Sequence, residues 1–592
     1  MTQKHYSFGV IVLAFAGCSR APSVPDNPPP AGAPTLGPTT VLADAPPPIS
    51  GGTMLLSRDQ STVVLADSDR DVVSFVDATS GVVRAQTSLS PHDEPGRLAE
   101  DGSGFVHIAL RGSGDLVTLS LASGQVTQRR PVCAQPRGVA YDATNDQVLV
   151  ACASGELVTF AAPSGPPVQV VPVEPDLRDV VVTTDAVFVS KYRTAEILRL
   201  DRTGVIQDRA FLPGLNGSPA LVWRMRQVDQ QTLAATYQVD STSFIPTTAG
   251  GYGSAPSSPS ASPGSTFSGV ITPEVVEIQM SNLSTTISSG SVAGSVLPVD
   301  FAASSRGAVT VVAAGNWKSA AGNAYTRFSA DPAIGAVGQA TPIEGQVVAI
   351  ETASDGTLFL QSREPAALFI VRAVDAHDEI VRTVKLSDVS REDTGHTIFH
   401  TNSGGSIACA SCHGEGGDDA QTWNFDGQKP RRTPSLRGTI KGTAPYHWDA
   451  DFTDMKALLH EVYTRRMGGL SLAADQMDAV KGWVEGLPAP KRADVDAAAR
   501  ARGEALFHGQ AGCDVCHSGP SYTNNATVDV GTGLPLQVPP LVGVGARGPF
   551  LHTGCARTLE ERFGKCSTPA HGQVAGLTAS DVADLVAFLK SI

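Results

Sequence analysis

The sequence predicts a multidomain protein, an all-β seven-bladed propeller followed by two all-α domains of one kind. Three observations predict it. From about Leu55 to residue 390, short Val/Leu/Ile-rich runs alternate with Asp-Gly, Ser-Gly and Thr-Gly turns, and the pattern recurs about every 40 residues. From 391 the apolar spacing changes to i, i+3, i+4, i+7. Within that second region the pentapeptide Cys409-Ala410-Ser411-Cys412-His413 returns as Cys513-Asp514-Val515-Cys516-His517. A chain of 592 residues is in any case too long for one core.

The N-terminus reads as a targeting segment. Lys4 and His5 precede the apolar run Phe8 to Ala16, too short to span a bilayer. Residues 1–17 resemble a bacterial lipoprotein signal, because small residues stand directly before Cys18, which would become the lipidated first residue. Phe15 departs from the leucine usual three residues before that cysteine. The expected location is the bacterial cell envelope, periplasm or outer membrane, with a lipid anchor as the only link to the membrane. Residues 18–51 are Pro- and Ala-rich, contain Pro28-Pro29-Pro30 and Pro46-Pro47-Pro48, and show no apolar period. They predict a semi-rigid, extended tether. The net charge of −14 argues against nucleic acid as a partner.

Residues 52–390 carry the propeller pattern. Thr62-Val63-Val64-Leu65-Ala66, Gln147-Val148-Leu149-Val150-Ala151 and Ala186-Val187-Phe188-Val189-Ser190 read as strands. Arg97, Arg137, Arg178 and Arg224 stand at or near strand starts, at spacings of 40, 41 and 46. Units counted from about 52, 94, 135, 176, 220, 297 and 345 give seven blades. The region resembles seven-bladed propellers of the YVTN repeat type, although that motif is absent. The Gly/Ser/Pro-rich stretch 240–269 cannot pack a core and predicts a mobile surface loop on the fifth blade.

The helical region repeats itself. Gly395-His396-Thr397-Ile398-Phe399-His400 matches Gly503-Glu504-Ala505-Leu506-Phe507-His508, and each precedes a Cys-x-x-Cys-His motif. Pro434 to Gly438 matches Pro539 to Gly543, and Ala444 to Asp449 matches Gly548 to Thr553. Met455, Leu458, Leu459 and Val462 share one helical face, as do Val582, Leu585, Val586 and Leu589, and Thr578 with Asp581 forms a capping box. Residues 391–490 and 491–592 are therefore two copies of one unit.

A Cys-x-x-Cys-His run is the signature of c-type haem attachment. Cys409 and Cys412 would hold one haem and Cys513 and Cys516 a second, so each unit reads as a cytochrome c domain. His413 and His517 then supply the proximal imidazoles to iron. Nine cysteines less Cys18 and these four leave Cys133, Cys152, Cys555 and Cys566. In an oxidising compartment two disulfides are their natural use, and sequence proximity suggests Cys133–Cys152 and Cys555–Cys566.

These motifs, the paired Gly-x-x-[Ile/Leu]-Phe lead-ins and the segment Thr443 to Asp449 make the last 200 residues or so similar to the bacterial di-haem cytochrome c peroxidase (MauG-like) family. The resemblance implies two haems, one relaying electrons and one reacting with hydrogen peroxide. It implies a small redox protein as electron donor, or a protein substrate, and a calcium ion between the haem domains. The propeller is no part of the family's smallest members and reads as a docking or scaffold domain.

Alignment of the copies by Leu472 with Leu577 sets Met467-Gly468 beside His571-Gly572, one residue out of register. Met467 is the candidate distal ligand of the first haem and His571 of the second, with His552 competing. The family carries its methionine in the C-terminal unit, so this order is a departure and leaves open which haem meets peroxide. Moving a proton on the distal face needs an acid–base group, for which His447, Asp449, Asp451 and Glu415 are candidates. Trp448 or Trp423 could carry an electron between haems. The alternative is a non-enzymatic electron-transfer or redox-sensing lipoprotein whose propeller binds a partner.

Overall fold

In the computed structural model the described residues are 32–592 except 215–216, 254–268, 288–291, 293, 304–307, 320–321, 330–341 and 375–376. The expected export signal, the expected lipidation site Cys18, the start of the tether and much of the expected loop at 240–269 lie outside them. Among the described residues no helix is long and apolar enough to cross a membrane.

The N-terminal domain is a seven-bladed β-propeller. Its innermost strands begin at Met54, Pro95, Pro136, Leu177, Gly217, Asp300 and Val347. Among the described residues each blade is an antiparallel sheet in simple consecutive order, with three strands in the sixth blade and four in the rest. Burial follows from that geometry. The second strand of the fourth blade, Val187–Lys191, is buried throughout, whereas the outermost strand of the third, Pro167–Pro172, is almost wholly exposed. The innermost strands of the first and seventh blades touch and close the ring, which removes the sheet edges an open array would leave.

The recurring arginines sit at irregularities of the innermost strands. Pairing skips Arg97 between Pro95 and Leu98, Arg137 between Pro136 and Gly138, and Arg178 between Leu177 and Val180, and it resumes at Arg224 after Ala220. An unpaired residue lets a side chain be re-aimed, and these turn inward. Arg97 and Arg224 both reach Asp179, at 2.9 and 2.8 Å, and Arg178 donates to the Trp223 carbonyl at 2.9 Å.

The C-terminal region forms two helical units of matching build. The first has α1 (Thr394–His400), α2 (Cys409–Cys412), α3 (Met455–Leu459) and α4 (Ala474–Glu485). The second has α5 (Ala497–His508), a single turn at Cys513–Val515, α6 (Leu559–Phe563) and α7 (Ala579–Lys590). Helix α1 packs on α4 and α5 on α7. In both pairs a glycine permits the approach, since a β-carbon at Gly395 would collide with the Ala479 carbonyl and one at Gly503 with that of Asp584. His447 and its counterpart Leu551 both adopt positive φ, at 70° and 68°.

Two expectations change. The tether is extended, but from Ala33 it is not a free spacer. Thr40 exchanges hydrogen bonds with Thr394, Leu42 N–H donates to Asp393, and the Trp483 indole donates to the Pro46 carbonyl at 3.0 Å. The segment seals α1 and α4 against the propeller, and backbone groups rather than an apolar period hold it. The described part of the 240–269 insert is likewise docked rather than free, although several of its residues are exposed. Ile245 pairs with Phe425, and Ile245 and Val270 pack with Trp423 in one apolar cluster.

Glu415, a candidate proton carrier by sequence, is committed elsewhere. It stands at φ 52° in the turn after His413 and inserts into the propeller. Arg178 reaches it at 2.9 Å, Arg137 at 3.3 Å and Arg111 at 3.5 Å, and the Ser50 hydroxyl donates to it at 2.6 Å. Burial alone would raise its pKa. Arg178, Arg137 and Arg111 outweigh that and hold the carboxyl well below the usual range. Removing one partner of such a buried group leaves the others uncompensated. Glu415→Ala is expected to cost about 3–5 kcal/mol, read as a lower urea midpoint at unchanged slope. A midpoint equal to wild type would show that the Glu415 carboxylate does not stabilise the fold through these arginines.

Candidate functional site

Both Cys-x-x-Cys-His motifs open onto one cavity. Cys409, Cys412, Cys513 and Cys516 are unbonded, whereas Cys133 is joined to Cys152 and Cys555 to Cys566. The fold thus separates two classes of cysteine. Each motif thiol pair is held within a single helical turn. Burial pushes the Cys409 thiol up to about 12 and the Cys513 thiol to about 11. A redox-active Cys-x-x-Cys shows the reverse shift, toward thiolate.

The two motif histidines are oriented alike. His413 Nδ1 lies 3.1 Å from the Gly417 carbonyl, and His517 Nδ1 lies 3.1 Å from the Tyr522 carbonyl. A carbonyl can only accept, so each Nδ1 carries the proton and each Nε2 presents a lone pair, the tautomer a metal-ligating imidazole needs. Burial, the largest influence on both rings, lowers their pKa and favours that neutral form.

The cavity has a volume of about 520 Å³ and runs from one unit into the other. His413 and Met467 line it in the first unit and His517 and His571 in the second, with Trp448 also on its wall. The His517 and His571 rings face one another with centroids 6.4 Å apart and planes 30° from parallel. Burial first, and then the Arg562 charge, depress the His571 pKa to about 3. The loop bearing His571 is fixed by the Cys555–Cys566 bond and by Arg562, which donates to the His571 carbonyl at 2.6 Å. His552 is placed otherwise, with its ring 6.2 Å from that of Trp448.

Met467 is delivered by a different device. Helix α3 runs on into His460–Arg466, where the turn widens, so that Met467 N–H reaches back to the Val462 carbonyl. Such widened turns recur at functional sites. Met467 ends the turn, is buried, and its own carbonyl accepts from the Ser403 hydroxyl at 2.9 Å.

The remaining candidates line the same wall. His447 Nδ1 lies 3.2 Å from Asp451. Asp449 is gripped by Arg431 through both oxygens, at 2.5 and 3.1 Å. The Trp448 indole donates to the Arg432 carbonyl at 2.7 Å, and the Trp448 carbonyl accepts from Gln537 of the second unit. Trp448 therefore bridges the units. Trp423 donates to Thr433 and packs beneath the propeller insert.

Sequence reasoning missed Arg547 and Arg562. Both line the cavity, and each has a buried guanidinium nitrogen without a hydrogen-bond partner. Among the described residues neither has a carboxylate within ion-pair reach. One signal was in the sequence, since no Asp or Glu occurs between Asp529 and Glu560 around Arg547. Among the described residues no group of three or more His, Cys, Asp or Glu side chains is gathered as a metal cage, so no site for the calcium ion can be assigned.

No family profile matches the chain, and no curated protein matches it. Among solved structures it is similar to the hydrazine synthase of Kuenenia stuttgartiensis, at 13% identity, over 57% of this chain and 99% of that one, with a TM-score of 0.42. It is also similar to virginiamycin B lyase from Staphylococcus aureus, at 12% identity, over 54% and 92% of the two chains, with a TM-score of 0.39.

Proposed function

We propose that this chain is an exported di-haem c-type oxidoreductase that uses hydrogen peroxide, with the propeller as its scaffold. In this reading both helical units are cytochrome c domains. Cys409 and Cys412 bind one haem and Cys513 and Cys516 the other, with His413 and His517 as proximal ligands. The facing pair His517 and His571 carries the proposal. Two ring nitrogens each about 2 Å from one metal put imidazole centroids about 6 Å apart, and this pair stands at 6.4 Å.

Three features support the same reading. The motif thiols are unbonded while the other four described cysteines pair. Among the described residues Arg547 and Arg562 offer positive charge to the cavity with no carboxylate in ion-pair reach, a setting suited to haem propionates. A buried charge needs a counter-charge, and here the cofactor would supply it. Two disulfides also suit an exported chain.

Bound haem supplies one-electron redox chemistry and, where an axial position opens, a site for peroxide. The protein does the rest. Reduction of one peroxide to two waters consumes two electrons and two protons. Asp451 holds His447 in the cavity wall, part-exposed to solvent, from where the ring can pass protons inward. Asp449 is less suited, because Arg431 occupies both of its oxygens. Trp448 lies between the units and offers an electron route. Electrons would come from a small redox protein, or a protein substrate would be oxidised.

The same His517–His571 pair favours a second reading. If Met467 and His571 both stay bound, peroxide has no place, and the chain is an electron carrier or redox sensor.

Purified protein is expected to contain two haems per chain in a pyridine haemochrome assay, and a single haem would defeat the architecture. Met467→Leu is expected to lower the potential of the first haem, because a thioether ligand raises it. An unchanged redox titration would remove Met467 as ligand. Peroxide added to half-reduced protein should reoxidise it within mixing time, whereas unreactive six-coordinate spectra would leave the carrier. His447→Leu, which installs the residue of the matching position 551, should slow that reoxidation by about 10²–10⁴-fold at unchanged haem content.

A further inference from the structure

The propeller reaches the Met467 segment through the insert of its fifth blade. The strand Thr232–Ser241 leads into the insert, which the strand Ile271–Gln279 closes. Ile245 anchors its start, donating to the Asn424 carbonyl at 2.7 Å and accepting from Asp426 N–H at 2.9 Å. The chain then runs alongside the widened turn that ends at Met467.

The contacts there are regular. A helix leaves its last carbonyls without partners, and here the insert satisfies them. Gly250 N–H donates to the Arg465 carbonyl at 2.7 Å, and Tyr252 N–H donates to the Arg466 carbonyl at 2.9 Å. The side chains repeat the link. Arg465 donates to the Thr247 carbonyl at 2.9 Å, and Arg466 Nη1 donates to the Tyr252 hydroxyl at 3.0 Å. Glu461 accepts from Arg466 Nε at 2.8 Å and so fixes the far side of the guanidinium. The Tyr252 ring lies 5.8 Å from that of Phe425 and lines the cavity. A β-carbon at Gly253 would collide with Gly405, whose own β-carbon would collide with the Met467 carbonyl. Insert, Gly405 loop and Met467 are thus stacked without slack.

Among the described residues the second unit has no counterpart. There α6 ends at Phe563, and the loop bearing His571 is fixed by a disulfide within the unit. The first unit's disulfide-free segment is instead clamped by another domain.

We infer that Tyr252 and Arg466 are positioning residues for Met467, and that through them the propeller sets the distal ligation of the first haem. The inference rests on Met467 being that ligand. It gives the propeller a part in the redox site beyond scaffolding. A strap that holds the thioether in place governs how readily an outside ligand replaces it.

The test uses the full-length holoprotein and exogenous imidazole as the competing ligand. The variants are Tyr252→Phe, Arg466→Gln and, as reference, Met467→Leu. Each is assayed for haem content, for the red thioether-to-ferric-iron charge-transfer band, and for imidazole binding at each haem. Met467→Leu is expected to lose the band. Tyr252→Phe and Arg466→Gln are expected to keep two haems, weaken the band, and bind imidazole at the first haem about tenfold more tightly, the effect of losing one hydrogen bond to a charged group. The second haem should be unchanged. If Met467→Leu keeps the band, the ligand assignment fails. If it loses the band while both strap variants match wild type in band and affinity, the strap is overturned. Tyr252→Phe keeps the ring on Phe425, so it decides the matter if Arg466→Gln fails to fold.

Discussion

One carboxylate ties the two halves of this chain together. Glu415 stands in the turn that follows the first Cys-x-x-Cys-His motif, and Arg178, Arg137 and Arg111 close on it inside the propeller. Burying this much charge is favourable only if the charges meet with good geometry, so the first helical unit can dock in essentially one way. The position of α2 follows from that. Ser411, inside the motif, is buried, and its carbonyl accepts from Gln238 of the propeller at 2.6 Å. The N-terminal segment is then trapped between propeller and helices, where Ser50 completes the shell around Glu415.

The second unit escapes this constraint, and the asymmetry matters. Its motif presents an exposed Val515 at the position matching the buried Ser411. Its links to the propeller are peripheral, Lys491 donating to the Ser113 carbonyl and Arg193 to that of Ala546. The first motif packs against the propeller through Ser411 and the second exposes Val515, while a single cavity joins them. If haems occupy both, an external partner meets the second unit more readily than the first. Trp448 stands where charge would cross between them, with its indole fixed to the first unit and its backbone to the second.

Much of the fold was legible because blade geometry imposes a period. Inner strands must recur at about 40 residues, and the arginines at 97, 137 and 178 kept that spacing since each serves the axis. The partner of those arginines was not legible. Glu415 lies 237 residues beyond Arg178, and nothing near it in sequence distinguishes a buried counter-ion from a proton carrier. Composition misled in two places. The Pro-rich segment before blade one has no apolar period because it docks through backbone groups, as at Pro46 and Leu42. In the insert, Gly and Ser surround Ile245 and Tyr252, the two residues that anchor it. At the site, motif spacing gave the cysteines and His413 and His517. Arg547 and Arg562 escaped notice because isolated arginines usually mean solvent.

The divergence between the copies can now be stated physically. Both units keep the same helix pair, the same close glycine contact and the same left-handed residue at 447 and 551. They differ in what restrains the segment opposite the motif histidine. In the second unit a covalent bond within the unit does so, and His571 is held whatever the propeller does. In the first, hydrogen bonds to another domain add to the Ser403 contact on the Met467 carbonyl, so the restraint is shared with the insert. Equal scaffolds thus carry unequal restraint: the His571 segment is pinned by a disulfide, and the Met467 segment is linked by four hydrogen bonds to Thr247, Gly250 and Tyr252.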